Sequence, residues 1–299
     1  MNNIWFDISG KIDPERVSVL RIIKKIAEEL HIPFYVMGAF ARDVIFQHIH
    51  QIPAPRATQD IDLGVEVENW EEFRRLTGAL IRRGLVSPTK APHRFAASAY
   101  GSVINILPYG GITGGTKRIS WPPDHGMSMT TLGFEEAYKS ALRVRFSSDP
   151  VLEILVASVA GLALLKIIAW ADAKRERDAQ DFFFILQNCD ATGIETQLYE
   201  SHAALLTEEG YDARLASVRL LGRNLVELCS PETAKTGMEI LTRETDEARG
   251  FGMLAHMVKG TSFRGVKFEA ALQLLKKLLQ GIQEGMLRSK RARAGSSHL

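Results

Sequence analysis

A chain of 299 residues accommodates one large domain or two ordinary ones, and 45% apolar with 24% charged residues excludes a disordered or fibrous protein. A formal net charge of +2 gives no global basic field, so a nucleic-acid partner would be held by a local patch. The two cysteines, Cys189 and Cys229, lack metal-ligand spacing, which points to free thiols in a reducing, cytoplasmic compartment.

Asp7 comes early and no long apolar stretch precedes it, which argues against a signal peptide. Residues 14–30 read as an amphipathic helix. Val17, Leu20, Ile22, Ile23, Ile26 and Leu30 form its apolar stripe, with Lys24, Lys25, Glu28 and Glu29 on the wet side. Pro33 stops it, a short buried strand spans 34–37, and a helix over 39–48 begins just after Gly38. Pro53 and Pro55 mark a loop that leads to a strand over 60–67. Asn69 is a good N-cap for a helix over 70–83, which Gly84 terminates. Strands near 94–97 and 102–107 follow, joined by a turn at Tyr100-Gly101. The glycines and prolines of 108–133 predict a long irregular loop, of the kind that often carries function. A hairpin pairs 141–146 with 151–156 around Ser148-Asp149-Pro150.

The most apolar window, 151–170, is interrupted by Glu153, Ser158, Gly161 and Lys166. It reads as a buried strand and a buried helix, and no membrane span is expected. Beyond Gly161 the pattern is helical throughout, over 162–187, 194–206, 212–229, 231–242, 249–258 and 268–287. A basic tail, 288–299, with Arg288, Lys290, Arg291 and Arg293, is expected to be disordered and solvated.

The chemistry concentrates in Phe34-Tyr-Val-Met-Gly-Ala-Phe-Ala-Arg-Asp43 and Arg56-Ala-Thr-Gln-Asp-Ile-Asp-Leu63. Alternate residues of a strand share a face, so Asp60 and Asp62 point the same way, roughly 7 Å apart at Cα. Such a pair suits magnesium, which takes carboxylate oxygens and leaves room for substrate phosphates. Gly38 lets a phosphate chain approach the backbone where a helix begins. A solvent-facing sheet edge would also explain an Asp-x-Asp, but the apolar setting of Ile61, Leu63 and Val65 favours a site. Arg42 and Asp43 read either as nucleotide-binding groups or as a surface ion pair.

The ordered set resembles the DNA polymerase beta nucleotidyltransferase superfamily, and within it the AbiEii-like abortive-infection toxin group. Gly38-Ala39-Phe40-Ala41-Arg42-Asp43, Asp60-Ile61-Asp62, Leu164-Leu165-Lys166-Ile167-Ile168-Ala169-Trp170 and Arg177-Asp178-Ala179-Gln180-Asp181 carry the resemblance. It implies magnesium-dependent transfer of a nucleoside monophosphate from an NTP to an acceptor, with release of pyrophosphate. The acceptor is expected to be RNA, such as tRNA, and the protein to work in a toxin–antitoxin or phage-defence system with an antitoxin partner. By the resemblance, Asp60 and Asp62 are metal ligands of a two-metal site, while Gly38, Ala39, Arg42, Thr58, Lys166, Asp178 and Asp181 contact the nucleotide. Two plainer readings compete in the C-terminal part. Lys166 can snorkel from its apolar helix, and Lys174–Asp178 and Arg177–Asp181 can be ordinary i, i+4 surface pairs.

The pattern breaks at one place. The superfamily's third carboxylate would fall on a later strand, and the matching residue here is Asn105. An amide oxygen can coordinate magnesium but carries no charge and takes no proton from an acceptor hydroxyl. A slow enzyme, an enzyme borrowing a carboxylate such as Asp124, and a catalytically weakened NTP-binding protein all fit. Nucleotidylation of a small hydroxylated molecule, as antibiotic-modifying relatives perform, is the alternative transferase reading. The expected fold is α+β: a nucleotidyltransferase domain over 1–158 with a small mixed sheet, then an all-helical domain over 159–287. Nucleotide would bind between the two.

Overall fold

The protein is described from a computed structural model over residues 5–97, 102–260 and 264–296. The expected turn at Tyr100-Gly101 lies outside those residues. Two compact units divide the chain, Met1–Ser158 and Val159–Leu299.

In the first unit, β1 (Trp5–Asp7) precedes α1 (Pro14–Leu30). Asp13 caps this helix by accepting from the Glu15 amide, and Pro14 occupies its first turn, where no amide hydrogen is needed. The chain then runs through β2 (Phe34–Met37), α2 (Gly38–Asp43) and a π-helical continuation, Val44–Ile49. β3 (Ile61–Glu66) leads to α3 (Trp70–Arg82), capped by Asn69, whose Oδ1 accepts from the Glu71 and Glu72 amides. β4 (Val86–Pro88), β5 (Arg94–Ala97) and β6 (Val103–Tyr109) follow. The glycine-rich stretch expected to be irregular holds a small hairpin, β7 (Arg118–Ser120) with β8 (Ser128–Thr130), and then α4 (Phe134–Lys139). β9 (Leu142–Ser148) and β10 (Val151–Val156) form the expected antiparallel hairpin.

The strands build an eight-stranded mixed sheet in the order β1-β9-β10-β2-β3-β6-β5-β4. It is larger than the sequence led us to expect, because β1 and β4 are too short to show a period of two. β3 is central, antiparallel to β2 and parallel to β6. Its Ile61, Leu63 and Val65 are buried, whereas Asp62 and Glu66 are only half-buried. β6 repeats the pattern, with Ile104 and Ile106 buried and Asn105 half-buried. One face of the central strands therefore belongs to the core, and the other presents polar groups.

The second unit is helical: α5 (Val159–Ala173), α6 (Glu176–Asn188), α7 (Ile194–Ser201), α8 (Ala203–Glu208), α9 (Ala213–Leu228), α10 (Pro231–Glu244), α11 (Gly252–Met257) and α12 (Arg264–Ser296). Three expectations are corrected. The helix read over 162–187 is broken where Lys174 takes a left-handed backbone, φ 53°, with its ammonium 3.7 Å from the centre of the Trp170 ring. The helix read over 194–206 is divided at His202. The basic tail continues α12 through Ser296, because lysine, arginine and alanine are good helix formers and no proline interrupts them.

α9 and α12 cross with their backbones nearly touching. A Cβ on Gly281 would sit 1.9 Å from the Arg219 carbonyl oxygen, and one on Gly222 would sit 2.4 Å from that of Leu278. Helix propensity alone makes Gly281→Ala stabilising by about 1 kcal/mol. The backbone collision outweighs that gain, since forcing packed helices apart costs about 1–3 kcal/mol or more. We expect Gly281→Ala to lower the melting temperature in a calorimetric scan; an unchanged or raised value would refute this close crossing.

Candidate active site

β2 ends at Met37, and the chain turns at once into α2 through Gly38, whose φ of 69° is costly for any residue with a Cβ. A Cβ there would also lie 1.9 Å from Oδ2 of Asp62. The glycine is thus required twice, by the turn and by the carboxylate seated over it. Asp62 faces Met37 on one side and Asn105 on the other, in register across three strands. Asn105 in turn faces Arg94 on β5. A transverse row of Met37, Asp62, Asn105 and Arg94 crosses the half-exposed face of the sheet.

Side-chain contacts tie this row together. Asn105 Nδ2 donates to Asp62 Oδ1 at 2.7 Å, and Arg94 Nη1 lies 3.4 Å from Oδ2 of Asp60. Asp60, just ahead of β3, keeps 38% of its side chain exposed. Asn105 Oδ1 is buried without a hydrogen-bond partner. Asp60 and Asp62, with the Asn105 amide against Asp62, make an oxygen-rich set of the kind magnesium takes. Among the described residues no three His, Cys, Asp or Glu side chains converge as a complete metal cage. The set therefore fits an ion whose remaining ligands come from water and substrate phosphates. Asp124 accepts from the Gly126 amide at 3.2 Å in the β7–β8 connection.

Arg42 is fully buried, contrary to the surface ion pair offered for it. Its Nε and Nη2 donate to Asp43 Oδ1 at 2.8 and 2.5 Å, and Nη2 reaches Thr58 Oγ1 at 3.2 Å. Arg16 Nη2 donates to the Thr58 carbonyl at 2.5 Å. Two arginines thereby fasten the loop that delivers Asp60, with Ala39 at the start of the helix that carries Arg42.

In the second unit the break at Lys174 turns α6 back along α5. Lys166 Nζ donates to Asp178 Oδ1 at 2.9 Å and to Asp181 Oδ2 at 2.8 Å, while Arg175 Nε donates to Asp178 Oδ2 at 2.7 Å. This replaces the i, i+4 pairing Lys174–Asp178, and Lys166 does not snorkel. Burial presses the Lys166 pKa down, but the attraction of Asp178 and Asp181 prevails and holds it above the usual lysine value. Burial likewise pushes the Asp178 carboxyl up, yet Lys166 and Arg175 together bring it below the usual range. Gly38, Ala39, Arg42, Thr58, Asp60, Asp62 and Asn105 therefore gather in the first unit, and Lys166, Asp178 and Asp181 gather in the second.

From the sequence, His93 and Arg94 at the start of a strand read either as substrate contacts or as structural residues, the latter favoured. With a turn centred on Tyr100-Gly101, Asn105 would face Ala96; the observed register puts it opposite Arg94. Alternation along β5 could have assigned Arg94 to a face, but not the partner it meets there.

The solved structures that the chain matches are distant. The antibiotic-resistance factor ANT(2'')-Ia in solution is 14% identical with a TM-score of 0.34, covering 67% of this chain and 99% of that one. A CCA-adding enzyme complexed with ATP is 15% identical with a TM-score of 0.31, covering 87% of this chain and 66% of that one. The Thermotoga maritima CCA-adding enzyme complexed with tRNA is 14% identical with a TM-score of 0.25, covering 94% and 83%. No curated protein sequence matches the chain. The family model of the nucleotidyl transferase AbiEii toxin, type IV toxin–antitoxin system, matches residues 26–262. With that span including β2, β3, β6 and the Lys166–Asp178–Asp181 cluster, the chain belongs to the AbiEii nucleotidyltransferase toxin family.

Proposed function

We propose that this nucleotidyltransferase moves a nucleoside monophosphate from a magnesium-bound NTP to a hydroxyl of RNA, with tRNA as the favoured acceptor. The observation that supports it most is the seating of Asp62 over Gly38, in register with Asn105 and beside Asp60. The acceptor hydroxyl oxygen bonds to the α-phosphorus, the α–β phosphoanhydride bond breaks, pyrophosphate leaves, and the hydroxyl proton passes to solvent water. Bound magnesium supplies charge neutralisation of the phosphoryl oxygens. Asp60 and Asp62 would hold it, with the Asn105 amide oxygen as a neutral third donor. Gly38 and the Ala39 amide cradle the phosphates at the start of the helix, where the dipole favours anions. Arg42 and Thr58 fix the approach of Asp60.

Lys166, Asp178 and Asp181 are proposed as the second unit's contribution to nucleotide binding, presented as one ion cluster. An antitoxin protein is the expected macromolecular partner, by family. No helix among the described residues is long and apolar enough to cross a membrane.

Purified protein, magnesium and each α-labelled NTP would be incubated in turn with total cellular RNA. Label is expected in RNA with wild type and, at least about 100-fold reduced, with Asp60→Ala/Asp62→Ala. Label on a small hydroxylated acceptor but never on RNA would replace the acceptor class, and NTP binding without pyrophosphate release would leave a silent binding protein.

A further inference from the structure

We propose that Arg94 supplies a built-in positive charge to this site, so that it takes one divalent cation where the family resemblance implies two. The inference rests on the transferase reading above and deepens it. Three observations carry it. Arg94 stands directly opposite Asn105 in the β5–β6 pair, and Asn105 stands directly opposite Asp62 in the β3–β6 pair. Arg94 Nη1 reaches Asp60 Oδ2 at 3.4 Å, so one of the two acidic ligands already has a cation beside it. Asn105 spends its Nδ2 hydrogen on Asp62 Oδ1 at 2.7 Å, leaving a neutral oxygen where a third carboxylate would carry charge.

Two divalent ions within about 4 Å repel each other strongly, and bridging carboxylates are what hold them together. Asp60, Asp62 and Arg94 together carry a single net negative charge, and Asn105 adds none. That attracts one divalent ion and leaves a second with the substrate phosphates alone to hold it, without the bridging carboxylate that a close pair needs. The guanidinium, half-exposed beside Asp60, can meet phosphoryl oxygens with directed N–H donors, which a second metal ion lacks. Arg94 is half-exposed, so it reaches the solvent side of the sheet without rearrangement.

Manganese electron paramagnetic resonance on the full chain with a non-hydrolysable NTP analogue reads the ion count directly. Wild type is expected to hold one uncoupled Mn2+ per chain, and Arg94→Lys likewise. Arg94→Gln/Asn105→Asp is expected to hold two, a twofold rise in stoichiometry, with the broadening of a coupled pair. A coupled pair in wild type would overturn the inference and leave the transferase reading standing. A single ion in the double variant would also overturn it. No nucleotide-dependent Mn2+ uptake by wild type would overturn both readings.

Discussion

Gly38→Ala is expected to abolish nucleotidyl transfer, by at least about 100-fold in kcat/KM, while the protein stays folded. The added Cβ meets Asp62 Oδ2 at 1.9 Å, against the 3.4–4 Å of ordinary contact, so the carboxylate must move well over an ångström. A displacement of that size in a metal-positioning group costs about two orders of magnitude. The left-handed backbone adds only about 1–2 kcal/mol of strain, which a domain of ordinary stability absorbs. Gly84→Ala is the matched control. Its φ of 68° is almost the same as that of Gly38, but a Cβ there meets nothing within 4 Å. Equal activity loss in the two variants would show that backbone strain matters and the seat of Asp62 does not.

Lys166→Met is expected to destabilise the second unit by about 3–5 kcal/mol, because it removes the Lys166 cation from a buried cluster with Asp178 and Asp181. Adding Asp178→Asn and Asp181→Asn should restore much of the loss, since replacing a whole buried ion cluster is far less costly than removing one member. The pH dependence has a definite sign. The Lys166 pKa is raised in the fold, so its contribution is full below the unfolded value of about 10.4 and is lost as pH rises through the folded one. The Asp178 pKa is lowered, so its contribution is full above the unfolded value of about 3.9 and fades as pH falls through the folded one. The stability gap between wild type and Lys166→Met, read by urea unfolding at several pH values, should be widest between those limits. A gap that does not narrow on acidification would contradict the ion-cluster account.

Much of the site's composition was legible in the chain. The alternation Asp60-Ile61-Asp62-Leu63 predicts two carboxylates on the polar face of a buried strand, and Asp62 is found there, with Asp60 immediately ahead of the strand. Gly38 was marked by its place between an apolar strand and a helix, and the structure adds a second demand, the carboxylate above it. Asn105 was located by the family resemblance, at the place of the superfamily's third carboxylate, and the structure sets it half-buried between Ile104 and Ile106. For Asp60, Asp62 and Gly38 these are local facts, carried by the period of two and by the strand-to-helix turn.

The remainder depended on residues far apart in the chain. No periodicity distinguishes a continuous helix over 162–187 from two helices folded back on one another, since α5 and α6 both continue the apolar pattern. Only the left-handed turn at Lys174 brings Lys166 within 3 Å of carboxylates 12 and 15 residues away. The same holds for Arg42, whose burial depends on the loop carrying Arg56 and Thr58 closing over it. It holds again for Arg94, which meets Asn105 and Asp60 through a strand register set outside its own segment. The sequence by itself determined which elements form and which of their faces are polar, because those follow from neighbours along the chain. Tertiary structure alone decided which charges stand together, because pairing between distant segments is a matter of register, turn geometry and helix reversal.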